Sequence, residues 1–108
     1  MAFNLIITEQ AEEQLDRLVD YMLTSLQNPE AAYHLFERIE AVYVQLSENP
    51  LIFPTCKNSL LQSRGYREAL LNPMRYRIVF RVEMETVYIV AFFHTLEDHI
   101  SKMEIEDT

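Results

Sequence analysis

Glycine is almost missing from this chain: Gly65 is the only one in 108 residues. A glycine-rich loop that cradles phosphate is therefore excluded. A single cysteine, Cys56, excludes an internal disulfide and suits a reducing compartment. No apolar run approaches the ~18 residues that a membrane span requires. The first residues, Met1 to Asn4, show neither a basic stretch nor a long apolar one, so no secretory signal is expected. These absences together predict a cytoplasmic protein without a membrane partner. The length suits one domain spanning residues 1–108.

Cations are scarce as well, with nine Lys and Arg against 17 Asp and Glu, for a net charge of −8. That balance argues against non-specific attraction of the whole molecule to nucleic acid. The shortage is uneven. Residues 1–55 carry Arg17 and Arg38 against nine acids (−7), and residues 83–108 carry Lys102 against seven (−6). Between them, Lys57, Arg64, Arg67, Arg75, Arg77 and Arg81 face Glu68 alone (+5). An anionic partner would meet the chain in that middle segment.

The periodicities predict an ordered series of elements. Phe3 to Ile7 reads as a strand. Thr8 is a helix N-cap with acids in the turns after it, and Ala11, Leu15, Leu18, Val19, Met22 and Leu26 recur at helical spacing to about Gln27. Asn28-Pro29 starts a second helix whose apolar stripe is Ala32, Leu35, Phe36, Ile39, Val42, Tyr43 and Leu46, ending at Asn49-Pro50. The short connection makes the two an antiparallel hairpin. Residues 51–65 are irregular. Strands are expected over 66–71, 75–82 and 86–93, with a turn at Asn72-Pro73 and a short helix over 96–103. Helices first and an antiparallel meander afterwards define an α+β class.

The strand around Arg77 carries most of the chemistry. Alternation puts Tyr76, Ile78, Phe80 and Val82 on one face and Arg75, Arg77, Val79 and Arg81 on the other. The apolar face is expected against the hairpin and the arginines on the open side. If Glu83 pairs with Thr86, then Tyr88, Phe92 and His94 stand opposite Arg81, Arg77 and Arg75. A one-residue slip would send those three side chains to the core side. Arginines among aromatic rings suit RNA, through phosphate pairing and base stacking. They equally suit a protein interface, or a solvated outer face.

Other candidates are weaker. His94 has the intrinsic pKa of a general acid or base, but a lone strand-end histidine is usually structural. His94, Asp98 and His99 cluster without metal-site spacing, so neither a metal nor a cofactor is expected. Cys56 reads as a packing thiol. Glu12, Asp16 and Asp20 recur every four residues, either a solvated face or a docking stripe for a basic partner.

Several segments in this order are similar to the RelE/ParE superfamily of toxins from bacterial type II toxin–antitoxin (plasmid stabilisation) modules. They are Leu46-Ser47-Glu48-Asn49-Pro50, Gly65-Tyr66-Arg67-Glu68, Tyr76 to Val82, and Val87 to His94 with Asp98 beyond. The resemblance covers nearly the whole chain. It implies a β-α-α-β-β-β fold: an N-terminal strand, and a helical hairpin packed on a C-terminal three-stranded antiparallel meander. It further implies a sheet face clasped by a cognate antitoxin, in a hetero-oligomer or homo-oligomer. RelE-like members cut mRNA on the ribosome, and here Arg67, Arg77, Arg81 and His94 would be the catalytic set. ParE-like members lack such a set and inhibit DNA gyrase. The acidic charge, the lone Lys57 and the absence of a tyrosine after His94 depart from the RelE pattern. The resemblance is therefore closer to ParE, with Arg67, Arg75, Arg77, Arg81, Tyr88, Phe92 and His94 as a partner-binding face.

Overall fold

A computed structural model describes residues 2–95; the helix expected over 96–103, with Asp98 and His99, lies outside them. Strand β1 (Asn4–Ile7) leads into helix α1 (Glu9–Asp20), which widens into a π turn over Tyr21–Ser25. Helix α2 (Pro29–Glu48) returns antiparallel, and after a 3-10 turn (Pro50–Ile52) comes a short helix α3 (Ser59–Ser63). Strands β2 (Arg67–Leu70), β3 (Tyr76–Glu83) and β4 (Thr86–His94) complete the described residues.

The helix starts are those the sequence marks. Thr8 Oγ1 accepts from Ala11 N at 3.2 Å, and Asn28 Oδ1 accepts from Ala31 N at 3.1 Å with Pro29 in the first turn. Each cap satisfies an amide that has no partner inside the helix. The end of the first helix differs. In the π turn Leu26 N bonds to Tyr21 O, and the extra residue rotates the next side chains around the axis. Leu26, expected on the buried stripe, is exposed as a result. Phe36 is likewise exposed, because the buried line of α2 runs through Leu35, Ile39, Val42 and Leu46 and leaves Phe36 on its flank.

The meander pairs as expected, and β1 extends it. The order is β1-β4-β3-β2, with β1 parallel to β4 and the other pairs antiparallel. Ile78, Phe80, Val87, Ile89 and Phe92 meet Ala11, Met22 and the buried line of α2 in the main core. The other face is only partly open, against expectation. α3 and the segment before it lay Leu61 and Cys56 over Val79, Ala91 and Phe93. Asn58 makes this cover possible, accepting from Leu60 N and Leu61 N at 3.0 and 3.1 Å.

Two substitutions separate core from turn. Phe80→Ala should cost about 3–5 kcal/mol in urea unfolding, since it empties the middle of the main core. Met84, at the tip of the β3–β4 turn, is 92% exposed with φ of +55°. Met84→Asn should stabilise by a few tenths to about 1 kcal/mol, because asparagine tolerates the left-handed region better.

Candidate functional site

The register between β3 and β4 fixes where each candidate residue lies. From the turn it runs as expected: Glu83 opposite Thr86, Val82 opposite Val87, Arg81 opposite Tyr88 and Phe80 opposite Ile89. Val79 then pairs with Ala91, leaving Val90 as an extra residue in a β-bulge. Beyond it the pairing is Ile78 with Phe92, Arg77 with Phe93 and Tyr76 with His94. An inserted residue reverses the side chains beyond it. Phe92 accordingly enters the main core and His94 turns to the helix side, while Ala91 and Phe93 take the second face. The expected array of Arg75, Arg77 and Arg81 against Tyr88, Phe92 and His94 is thus corrected to one pair, Arg81 with Tyr88.

That pair is well formed. Arg81 Cζ lies 4.2 Å from the centroid of the Tyr88 ring, and Arg81 Nη1 also reaches the Glu83 carboxylate. Next to Tyr88 on β1 stands Ile6, 45% exposed. Arg81, Tyr88 and Ile6 form a strip across three strands on the part of the second face outside the second core cluster. A cation on an aromatic ring beside an exposed aliphatic chain suits a protein or peptide surface.

The remaining arginines go elsewhere. Arg77 is on the second face as expected but largely covered, its side chain 11% exposed, with Nη1 2.8 Å from Oε1 of Glu68, itself 6% exposed. Arg77 Nη2 donates to the Thr95 carbonyl as well. This guanidinium holds the sheet to the segment after β4 and is closed to a ligand. Arg67, paired with Phe80, points to the helix side and donates from Nη1 to Phe53 O at 2.6 Å. Arg75 precedes β3 and is exposed.

His94 joins a different group. Its ring meets Tyr76 edge-on, centroids 5.4 Å apart, in a cleft of about 300 Å³ bordered by Gln14, Arg17, Leu18 and Tyr21 of the first helix. Gln14 Oε1 accepts from Phe92 N at 3.0 Å, satisfying a sheet amide beyond the end of β1. Sequence reasoning missed Gln14, Arg17 and Tyr21. Their three- and four-residue spacing beside the buried stripe is a signal, but it has meaning only once α1 is laid along β4. Glu68 was also missed, although it is the single acid among six cations. Among the described residues no group of His, Cys, Asp and Glu is arranged to hold a metal, and no helix is long and apolar enough to cross a membrane.

Cys56 is buried. Burial pushes its thiol up to about 12, and the charge of Glu68 adds to this while Arg77 opposes it. A thiol so held is protonated and unreactive at neutral pH.

Comparison with known proteins agrees with this architecture. The family model for the ParE toxin of type II toxin–antitoxin systems, parDE, matches residues 5–99. The chain belongs to the ParE toxin family. A search of curated protein sequences found no match. Among solved structures, the chain is similar to one from the chromosomal ParDE toxin–antitoxin system of P. aeruginosa. The identity is 20% and the TM-score 0.69, over 86% of this chain and 96% of that one. It is also similar to a double mutant of the E. coli toxin RelE in the free state, at 18% identity and TM-score 0.62, over 95% and 94%. At such identities both likenesses concern the fold.

Two measurements test the buried cluster. Arg77→Met should cost about 3–5 kcal/mol by leaving the Glu68 carboxylate buried and unpaired, with much of that recovered when Glu68→Leu is added. Cys56 should resist disulfide reagents at about pH 8 in the folded protein and react fully in denaturant. Its folded pKa is raised, so the unfolded thiol ionises near 9 while the folded one keeps its proton to about 12. The thiol's contribution to stability should therefore be complete below about pH 9 and fall between there and about 12, as a pH series of urea midpoints would record.

Proposed function

We propose that this toxin acts by binding a protein target, DNA gyrase, and that a cognate antitoxin neutralises it by covering the Arg81–Tyr88–Ile6 strip. Membership of the ParE family supports the reading. The observation that carries it is the separation of the residues a nuclease would need. Arg81 lies on the second face, His94 and Arg67 lie on the helix side, and Arg77 is closed in an ion pair. RNA cleavage needs an acid–base group and phosphorane-stabilising cations within reach of one phosphate. These four residues do not converge on a common point. A strip of guanidinium, aromatic ring and aliphatic chain asks only for a complementary protein surface.

The test is controlled expression in a bacterial host. Growth arrest should come with an SOS response and trapped gyrase–DNA complexes, and co-expression of the neighbouring antitoxin gene should relieve it. His94→Ala should arrest growth as the parent does, while Arg81→Ala with Tyr88→Ala should weaken antitoxin binding by about tenfold or more. Cuts in ribosome-bound mRNA that vanish in His94→Ala would instead establish the nuclease.

A further inference from the structure

The hairpin carries a second surface that the sheet strip does not use. Tyr33, Glu37, Glu40 and Val44 succeed one another at four- and three-residue spacing, opposite the buried line of α2. Tyr33 is 64% exposed, Val44 56% and the flanking Phe36 43%. Leu23 and Leu26 at the hairpin tip are also about half exposed. Five large apolar side chains thus stand in water on a pair of helices already packed on their inner side. Scattered exposed apolar residues need no explanation, but several on one element mark a contact surface.

The charges around them are of one sign. Glu37 and Glu40 lie within the stripe, Glu37 with Oε1 3.2 Å from His34 Nδ1 at its exposed edge, and Asp16 and Asp20 are exposed on α1. The charge of Glu12 is, after burial, the second cause raising the Tyr43 phenol. The only cations of residues 1–55 are placed off the stripe. Arg17 borders the His94 cleft, and Arg38 borders a cleft at the edge of the stripe with His34, Glu37, Pro73 and Met74. A second copy would bring −7 against −7, and nucleic acid or an anionic membrane would be repelled likewise. The complement to an apolar, acidic helical face is a helix with an apolar seam flanked by lysine or arginine.

We propose that the outer face of the α1–α2 hairpin is a docking surface for a cationic amphipathic helix of a partner protein. Tyr33, Phe36 and Val44 supply its apolar contacts, and Glu37 and Glu40 its pairing charges. The surface is separate from the Arg81–Tyr88–Ile6 strip and does not depend on the toxin reading. Two partners, one on each surface, could bind together.

The probe is an amidated leucine–lysine peptide of about 18 residues, long enough to hold a helix on binding. Its control is a permuted peptide of equal composition that lacks the apolar seam. Calorimetry on the full chain should show the permuted peptide binding at least about tenfold more weakly. Tyr33→Ser with Phe36→Ser should weaken the first peptide by a similar factor, and Glu37→Gln with Glu40→Gln should reduce its salt dependence. Arg81→Ala should leave it unchanged. Circular dichroism checks that each variant is folded, and amide shifts should fall within residues 12–44. Equal binding of both peptides, or shifts centred on Tyr88, would overturn the proposal. So would sedimentation equilibrium showing a dimer that Tyr33→Ser dissolves, because the face would then belong to a second copy.

Discussion

The bulge at Val90 is the constraint on which the distribution of side chains depends. Before it, β4 alternates so that Val87 and Ile89 face the helices and Tyr88 faces away. After it, Phe92 and His94 face the helices, and Ala91 and Phe93 face away. Without the extra residue, Phe93 would enter the main core and Phe92 would stand beside Arg77. The bulge gives each face of the sheet a phenylalanine near the end of β4: Phe92 for α1, Phe93 for the cover formed by α3. One inserted residue therefore builds two cores and dismantles the array of arginine, aromatic and histidine that regular pairing would have produced.

The second core explains how an arginine comes to be buried. Removing a guanidinium and a carboxylate from water is costly, and mutual attraction offsets it only when the geometry is close and other bonds are made. Arg77 meets Glu68 at 2.8 Å on the adjacent strand and also reaches the Thr95 carbonyl. Its Nε is buried without a partner among the described residues, so compensation is incomplete. The gain lies in specificity of arrangement. A charge pair beneath Cys56 and Leu61 tolerates only the register that joins its members, which pins β2 to β3 and the segment after β4 to both.

Legibility in the sequence depends on how local each determinant is. The helix starts at Thr8 and Asn28-Pro29, the stop at Asn49, and pairing from Glu83 to Phe80 rest on neighbours a few residues apart, and all were readable. The β1–β4 pairing, α3 as a lid and the bulge rest on contacts distant in sequence. Val79-Phe80 and Ile89-Val90-Ala91 are uniformly apolar, so a one-residue slip there leaves no trace in the polarity pattern. That is where the reading of the site failed. Arg81 and Tyr88, two pairs from the turn, lie before the slip and were placed correctly; Phe92 and His94 lie after it and were not.

The positive segment takes on a different meaning once its partners are known. Its charge of +5 suggested an anion-binding face. Yet Arg77 is held by Glu68, Arg67 by the Phe53 carbonyl, and Arg81 is shared between Tyr88 and Glu83. Phosphate recognition draws on cations that can exchange counterions for phosphate, several at a time. Arg67, Arg77 and Arg81 are already engaged with protein groups, and Arg77 is out of reach. Lys57, Arg64 and Arg75 are exposed outside that set, and the surfaces left beside them are a strip with a single guanidinium and a hairpin of carboxylates and apolar side chains. Both surfaces are suited to other proteins, because the arginines of β2 and β3 are taken up by groups of the chain itself.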